Sequence, residues 1–294
     1  FIKALFPWAN RVIDNQIWNL FDYIIQEGKS PCFEYNLEQI NALRKDLLGL
    51  VIQEFQKNLD DADQETYKKF AYKIKHTDST IISTNYDIII DNALSRRVNY
   101  NYGVKIRKIV TGEFGEEEGL KRPGHYTPVA SINTGQISLL KIHGSLNWLY
   151  CPKCNEVDVS FGEKGVIKTL KGLYCINKNC TQKYEALLIT PTMFKNYENR
   201  ILKEIWECAE KELIEAKELV FIGYALKEED YQIRCLLMKS MLSKVDPYEK
   251  ITVIEKKPEN EEEEKYTEDL KKKYNELYGN VNFQPIGFKE YVKK

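Results

Sequence analysis

The sequence predicts an α/β protein with a doubly wound parallel sheet and a small inserted cysteine-rich domain. Short, almost continuously apolar segments alternate with amphipathic helical segments, and such apolar segments are typical of parallel strands covered on both faces. Two cysteine pairs interrupt this alternation. With 294 residues, the chain can bury one full core and add a small second domain.

Five apolar segments are predicted to be strands of the sheet: 80–83, 138–142, 186–190, 219–222 and 251–254. Apolar residues at helical spacing predict helices over 199–217 and 230–243. Near the start of the chain, Asn36 and Gln39 resemble a capping box for a further helix, with apolar residues at 43, 47, 50 and 51. The apolar stripes are expected to be core, and the sheet is expected to be Rossmann-like.

Four cysteines form two pairs whose spacing is typical of a metal site. Cys151 and Cys154 form a Cys-x-x-Cys pair, and Cys175 and Cys180 follow some twenty residues later. Four thiolates complete a tetrahedral zinc site and leave no position open for water or substrate, so the zinc is predicted to be structural. The alternative is four unrelated buried thiols, which behave as small apolar side chains.

The cysteine pairs divide the chain into two predicted domains. Residues 1–143 and 184–294 are expected to form the Rossmann-like domain, and residues 144–183 are expected to form a zinc-ribbon module inserted into it. The segment 96–137 is rich in glycine and shows little periodicity, so it is expected to be an irregular connection to the module.

Composition excludes several classes of protein. The net charge of −1 gives no reason to expect nucleic acid or a membrane surface as the main ligand. No apolar run reaches the length of a membrane span. Seven cysteines, four of them in the paired pattern, indicate a reducing compartment rather than a disulfide scaffold, and we therefore expect a cytoplasmic location.

Polar clusters follow four of the predicted strands, at 83–87, 143–145, 223–226 and at Glu255. Each has an ordinary structural explanation when taken alone: Asn85 and Asp87 could cap a helix over 88–94, His143 could be a satisfied core residue, and Gly223 could be a turn glycine. Ligands of open α/β sheets bind beyond the carboxyl ends of the strands. We therefore expect these residues to line one cleft.

The order of these motifs resembles the sirtuin-like superfamily, and most closely its bacterial SIR-two-like branch, which is known from prokaryotic defence proteins. The sequence reads Thr-Asn-Tyr-Asp, then His-Gly-Ser, then two cysteine pairs, then Gly-Tyr-Ala-Leu. The resemblance covers about residues 78–256. It implies that the segment 83–87 takes the place of the family's Thr-Gln-Asn-Ile-Asp motif.

The resemblance also implies the roles of individual residues towards NAD. Thr84, Asn85 and Asp87 stand in the nicotinamide-binding motif, where Asn85 and Asp87 would hold the nicotinamide ribose and its carboxamide. His143 is implied as the catalytic histidine, assisted by Asn85. The remaining implied contacts are Gly223 and Tyr224 at the ribose and phosphate crevice and Glu255 near the adenosine end.

Three features depart from the deacylating members of the family. The glycine-rich loop that cradles a diphosphate is expected upstream of Phe1, because the chain has no Gly-x-Gly sequence. Thr84 stands where those enzymes have glutamine. The segment 189–195 reads Ile-Thr-Pro-Thr-Met-Phe-Lys, whereas those enzymes carry a Phe-Gly-Glu segment that pairs with the acylated peptide.

These features predict an NAD+ hydrolase that releases nicotinamide and ADP-ribose, acting as an effector of prokaryotic antiviral defence. A protein-lysine deacylase using the same pocket is the second hypothesis. A non-catalytic nucleotide-binding module that regulates a partner is the third. Free NAD hydrolysis would be lethal to a cell, so we expect assembly into a homo-oligomer, or with a partner defence protein, to gate the activity.

Overall fold

The computed structural model describes residues 21, 23–28, 36–40, 42, 43, 46, 63–95, 100–110, 114–117, 119–123, 126–128, 137–160, 172–189 and 199–294. Most of the predicted apolar stripe of the first helix, at positions 47, 50 and 51, lies outside these residues. The capping box at its start is confirmed. The backbone amide of Asn36 donates to Gln39 Oε1 at 2.8 Å, and the amide of Gln39 donates to Asn36 Oδ1 at 2.9 Å.

Strands and helices alternate over residues 64–101 and again over 200–294, and the described residues between these two ranges contain strands but no helix. The helices α1 to α6 cover Gln64–Ile74, Ile89–Ser95, Arg200–Glu215, Tyr231–Ser243, Glu261–Tyr278 and Gly287–Lys293. The strands β1 to β7 cover Ser79–Ser83, Tyr100–Asn101, Lys108–Val110, Phe114–Glu117, Leu120–Pro123, Tyr126–Pro128 and Ile137–Lys141. The strands β8 to β13 cover Gly144–Cys151, Glu156–Ser160, Glu185–Leu188, Glu218–Ile222, Lys250–Ile254 and Asn282–Gln284.

Two sheets of parallel strands carry the α/β part of the fold. One has the order β1-β7-β2 and the other has the order β11-β12-β13. Four of the predicted strands are β1, β7, β11 and β12, and the two helices predicted over 199–217 and 230–243 are α3 and α4. The mixed α/β class with parallel strands is therefore confirmed. Among the described residues, no strand pairs with the outer edges of β1 and β11.

Helices hold these two sheets together around one hydrophobic core. Trp206 of α3 donates its indole N–H to the Ile142 carbonyl at 2.9 Å, just beyond β7. On α1, the ring of Tyr67 lies 5.1 Å from that of Phe288 in α6. Core residues from both sheets, such as Leu139 and Val253, belong to the same buried cluster. Each sheet alone would leave this apolar surface exposed, and the shared core fixes the position of their strand ends.

A third, mostly antiparallel sheet of five strands has the order β10-β8-β9-β3-β6. It corrects two expectations. The strand predicted over 186–190 is β10, which pairs antiparallel with β8 instead of joining a parallel sheet. The segment 96–137 was expected to be irregular, but its described residues contain β2 to β6 and the start of β7. These strands are two to five residues long, and apart from the local hairpin of β4 and β5 they pair with partners distant in the sequence, so local sequence gives little sign of them. The predicted domain limits at 143/144 and 183/184 stay a prediction.

No helix in the described part of the chain combines the length and the apolar character that crossing a membrane requires.

Candidate functional site

His143 lies at the corner between β7 and β8, beside the loop that follows β1. It is 4% exposed, and its Nδ1 is 3.2 Å from the backbone oxygen of Thr84. Backbone hydrogen bonds hold the two loops together: the Ile142 amide donates to the Ser83 carbonyl at 3.2 Å, and the Leu146 amide donates to the Tyr86 carbonyl at 2.9 Å. The structure thus brings His143 and the segment 84–87 into one place, although 59 positions separate Thr84 and His143.

The hydrogen bond to Thr84 assigns the tautomer of the His143 ring. A backbone carbonyl is only an acceptor, so Nδ1 must carry the proton that is shared with Thr84. In the neutral ring, Nε2 then carries the lone pair. This tautomer follows from the hydrogen-bond partner. It makes His143 a proton acceptor through Nε2.

Gly144 fixes the corner that presents His143. Its φ is +83°, and a Cβ placed on it would lie 1.9 Å from the Leu187 carbonyl oxygen. The Ile189 amide also donates to the His143 carbonyl at 3.0 Å, so β10 lies directly against this corner. Any side chain at position 144 must displace backbone, which explains why the residue after His143 is glycine.

We expect Gly144→Ala to destabilise the protein by at least about 2 kcal/mol, because the left-handed backbone alone costs a non-glycine residue roughly 1–2 kcal/mol and the clash with Leu187 adds to it. Gly223→Ala is the matched control. Gly223 has a φ of +61° but no atom within 4 Å of an added Cβ. Its substitution should therefore cost only the backbone strain. Urea unfolding of both variants tests this, and equal losses of stability would contradict the steric explanation.

The loop after β1 carries Asn85 and Asp87 in different surroundings. Asn85 is exposed, and its backbone amide donates to Ser83 Oγ at 3.2 Å. Asp87 accepts a hydrogen bond from the Ile89 amide at 3.0 Å, so one of its carboxylate oxygens caps the start of α2. From the sequence, Asp87 could simply cap a helix, and this explanation holds for that one oxygen. The Asn85 side chain lies on the exposed surface of the loop.

Gly223, Tyr224 and Glu255 meet at the carboxyl ends of β11 and β12. The Gly223 amide donates to the Ile254 carbonyl at 2.9 Å, and Glu255 follows Ile254 directly. The carbonyl of Tyr224 accepts a hydrogen bond from the Tyr274 hydroxyl at 2.7 Å. Because β11 and β12 are parallel, this end of their sheet presents the two loops side by side.

Asp230 is an acidic residue at this end of the molecule that the sequence did not single out. It lies directly before α4 and interacts electrostatically with Tyr86. Burial raises the pKa of Tyr86 well above its usual range, and the negative charge of Asp230 adds to this shift. The Asp230 carboxylate is therefore close enough to influence Tyr86, which lies in the loop that carries Asn85. That all the implied residues line one cleft remains a prediction.

The four paired cysteines form a cluster that could hold a metal ion. Their sulfur atoms all lie within 4.8 Å of one another. The Cys151 and Cys180 sulfurs are 3.7 Å apart, and those of Cys154 and Cys175 are 3.8 Å apart. Sulfurs bound tetrahedrally at ~2.3 Å from a zinc ion would be about 3.8 Å apart. The donor set and its spacing therefore fit zinc. Burial raises the pKa of the Cys151 thiol to about 12, so binding of an ion would release thiol protons.

Two arginines from the glycine-rich segment contact this cluster. Arg107 donates to Cys175 Sγ at 3.3 Å and forms an ion pair with the buried Asp158. Arg122 donates to the backbone oxygens of Cys175 and Asn177. Four thiolates around a divalent ion would carry a net negative charge, which the guanidinium groups would offset in part, since Arg107 is also paired with Asp158. These contacts could not be predicted, because the segment 96–137 has no periodic pattern in its sequence.

Comparison with known proteins identifies the family. Residues 79–276 match the model of the SIR2-like domain, and since this is more than half of the chain, the chain belongs to the SIR2-like domain family. The resemblance to the sirtuin-like superfamily is thereby confirmed, and with it a general association with NAD-related chemistry.

A solved sirtuin, described as "The Structural basis for Sirtuin Substrate affinity", aligns with a TM-score of 0.30 and 11% sequence identity. The alignment covers 53% of this chain and 54% of that chain, so the chain spans about half of its length. No curated protein matches the sequence.

Proposed function

We propose that the protein is an NAD+ hydrolase that cleaves the nicotinamide–ribose bond. The observation that carries the proposal is the hydrogen bond from His143 to Thr84, because it leaves the lone pair on Nε2 of a histidine held against the nicotinamide-binding motif. Family membership supplies the substrate class, NAD.

The reaction needs no metal at the reacting carbon. The bond between the anomeric carbon and nicotinamide breaks, its electron pair neutralises the pyridinium nitrogen, and positive charge develops on the ribose. Water adds to the anomeric carbon and gives up a proton. His143 would take this proton, or one from a ribose hydroxyl, through Nε2. The exposed amide of Asn85 would orient the water.

Hydrolysis is favoured over deacylation by the backbone of Ile189. Its amide donates to the His143 carbonyl at 3.0 Å, and its carbonyl accepts a hydrogen bond from the Tyr86 hydroxyl. In deacylases the corresponding segment pairs with the acylated peptide. Here the Ile189 amide already bonds within the protein and is not available to an incoming peptide, and one of the two lone pairs of its carbonyl oxygen is engaged as well. Thr84 in place of glutamine points in the same direction. With no peptide bound, water is the default acceptor.

Incubation of the full-length protein with NAD, with and without an acetyl-lysine peptide, tests this proposal. We expect nicotinamide and ADP-ribose to form in equal amounts without any peptide. Acetylated ADP-ribose that forms only with the peptide would instead support the deacylase. Binding of NAD without turnover would support the non-catalytic module.

We further propose that the enzyme is a cytoplasmic effector of prokaryotic antiviral defence whose activity is gated by assembly. This part rests on the resemblance to the defence branch and on the toxicity of unrestrained NAD loss. The cysteine cluster would serve as a structural zinc site, since four thiolate ligands close the coordination sphere.

A further inference from the structure

A lysine and an aspartate are paired inside the core directly beneath the candidate site. Lys141 is the last residue of β7 and Asp91 lies in the first turn of α2. Both side chains have no exposed surface, and Lys141 Nζ is 3.3 Å from Asp91 Oδ2. Lysine is almost never fully buried unless it is paired, so this arrangement calls for an explanation.

Further polar groups complete the surroundings of Asp91. The Tyr102 hydroxyl donates to Asp91 Oδ1 at 2.5 Å, and Asn147 Nδ2 donates to the Tyr102 hydroxyl at 3.1 Å. Burial and the negative charge of Asp91 raise the pKa of Tyr102 well above its usual range, so its hydroxyl keeps the proton that it donates. Both carboxylate oxygens of Asp91 therefore have donors.

Stability alone does not explain this pair. Replacing a buried ion pair by apolar residues of similar volume is often neutral or stabilising, because the cost of removing two charges from water can exceed their attraction. Lys141 also brings a positive charge to the N-terminus of α2, where the helix dipole opposes it. Apolar side chains would therefore fill the space between β7 and α2 at a lower cost in free energy than this ion pair.

Lys141 makes one contact that an apolar residue could not replace. Its ammonium group donates a hydrogen bond to the backbone carbonyl of Asp87. Asp87 ends the loop that carries Asn85, and the carbonyl of Thr84 in the same loop holds the His143 ring. A donor fixed at Asp87 therefore fixes the loop from its buried side.

We propose that Lys141 is a positioning residue, held in place by Asp91, which fixes the loop 84–87 and through it Asn85 and His143. The expected effect of Lys141 on NAD turnover rests on the proposed function. The expected effect of Lys141 on the order of the loop does not depend on that function. Positioning of this kind matters because small displacements of catalytic groups slow a reaction strongly.

The test is the double substitution Lys141→Met with Asp91→Leu, which removes both charges and keeps similar volumes. Its urea midpoint should lie above that of Lys141→Met alone, which leaves Asp91 without its ion-pair partner, and below that of the wild type, because the buried Tyr102 hydroxyl loses its acceptor in Asp91→Leu. In the double variant, hydrogen exchange of the amides in 84–89 should become at least about tenfold faster, because a hydrogen bond from a charged donor is lost. Exchange in β12 should not change. Tyr102→Phe, which keeps Lys141 and Asp87 in contact, should leave the loop protected.

The kinetic measurement is the split between kcat and KM for NAD. A positioning role predicts that kcat falls at least about tenfold in the double variant while KM changes less. A folded double variant with wild-type exchange in 84–89 would overturn the proposal. If the wild type shows no NAD turnover, the proposed function is refuted. If hydrogen exchange in 84–89 is nevertheless faster in the double variant, the positioning of the loop by Lys141 is still supported.

A measurement on the wild type covers the case in which the double variant does not fold. Nitrogen-15 NMR of the lysine side chains should show a slowly exchanging ammonium group that disappears in Lys141→Arg. Absence of any protected ammonium group in the wild type would contradict the buried hydrogen bond to Asp87.

Discussion

Replacing His143 by alanine is expected to reduce NAD cleavage by about 10²–10⁴-fold, the usual loss when a general base is removed. The tautomer set by Thr84 leaves Nε2 as the basic nitrogen, and alanine offers no replacement for it. The ring is also buried, so the substitution removes some packing as well as the base. The release of nicotinamide should therefore be measured under conditions in which circular dichroism shows that the variant is folded.

His76→Ala is the matched control for this experiment. His76 is exposed and precedes β1, whereas the site lies beyond the carboxyl end of that strand. Its substitution should leave turnover unchanged. Asn85→Ala should cost a factor comparable to His143→Ala, because the amide that orients water and ribose is lost, and since Asn85 is exposed its fold should be retained. Wild-type NAD cleavage in a folded His143→Ala variant would show that His143 is not the catalytic histidine, whichever enzyme the protein is.

The strands and helices that could be predicted are those with strong local signals. β1, β7, β11 and β12 are apolar runs followed by polar residues, and α3 and α4 carry regular apolar stripes, so their positions follow from periodicity. The cysteine cluster could be predicted for the same reason, since its ligands come as two close pairs in the sequence.

What could not be predicted depends on contacts between distant residues. The short strand β3 gains its structure from pairing with β9 along one side and β6 along the other, and no local pattern announces either partner. The strand β10 is apolar enough for a buried parallel strand, and only its pairing with β8 in the structure shows that it is antiparallel. Lys141 ends an apolar strand, where a lysine is normally exposed at the edge of the core. Its burial follows only from the pairing with Asp91 in the structure.

The same reasoning limits how far the candidate site could be predicted. The sequence placed polar residues at strand ends, which is enough to gather them at one side of a sheet. The cap that Asp87 forms on α2 was one of the explanations open from the sequence, because its donor is only two positions away. The influence of Asp230 on Tyr86 could not be predicted, because it depends on how two loops distant in the sequence pack.

Freshly purified protein is expected to contain one zinc ion per chain, and Cys154→Ser should remove most of it. In a site of this kind the free energy of metal binding contributes to the free energy of folding, and it amounts to roughly 10–16 kcal/mol in zinc-finger peptides. Cys154 is the best position to test because it is only half-buried, whereas Cys151, Cys175 and Cys180 are buried and would lose packing as well. We therefore expect the described residues between 145 and 185 to exchange amide protons much faster in this variant, while β11 and β12 stay protected.

Cys235→Ser provides the control, since Cys235 is equally half-buried but lies outside the cluster. It should keep both the zinc and the protection of the segment 145–185. A chelator added to the wild type should reproduce the effect of Cys154→Ser, because it removes the ion without altering any side chain. If elemental analysis finds no zinc in the wild type, or if Cys154→Ser and Cys235→Ser behave alike, the four sulfurs are only buried thiols. In that case the contacts from Arg107 and Arg122 must hold the segment together without a metal.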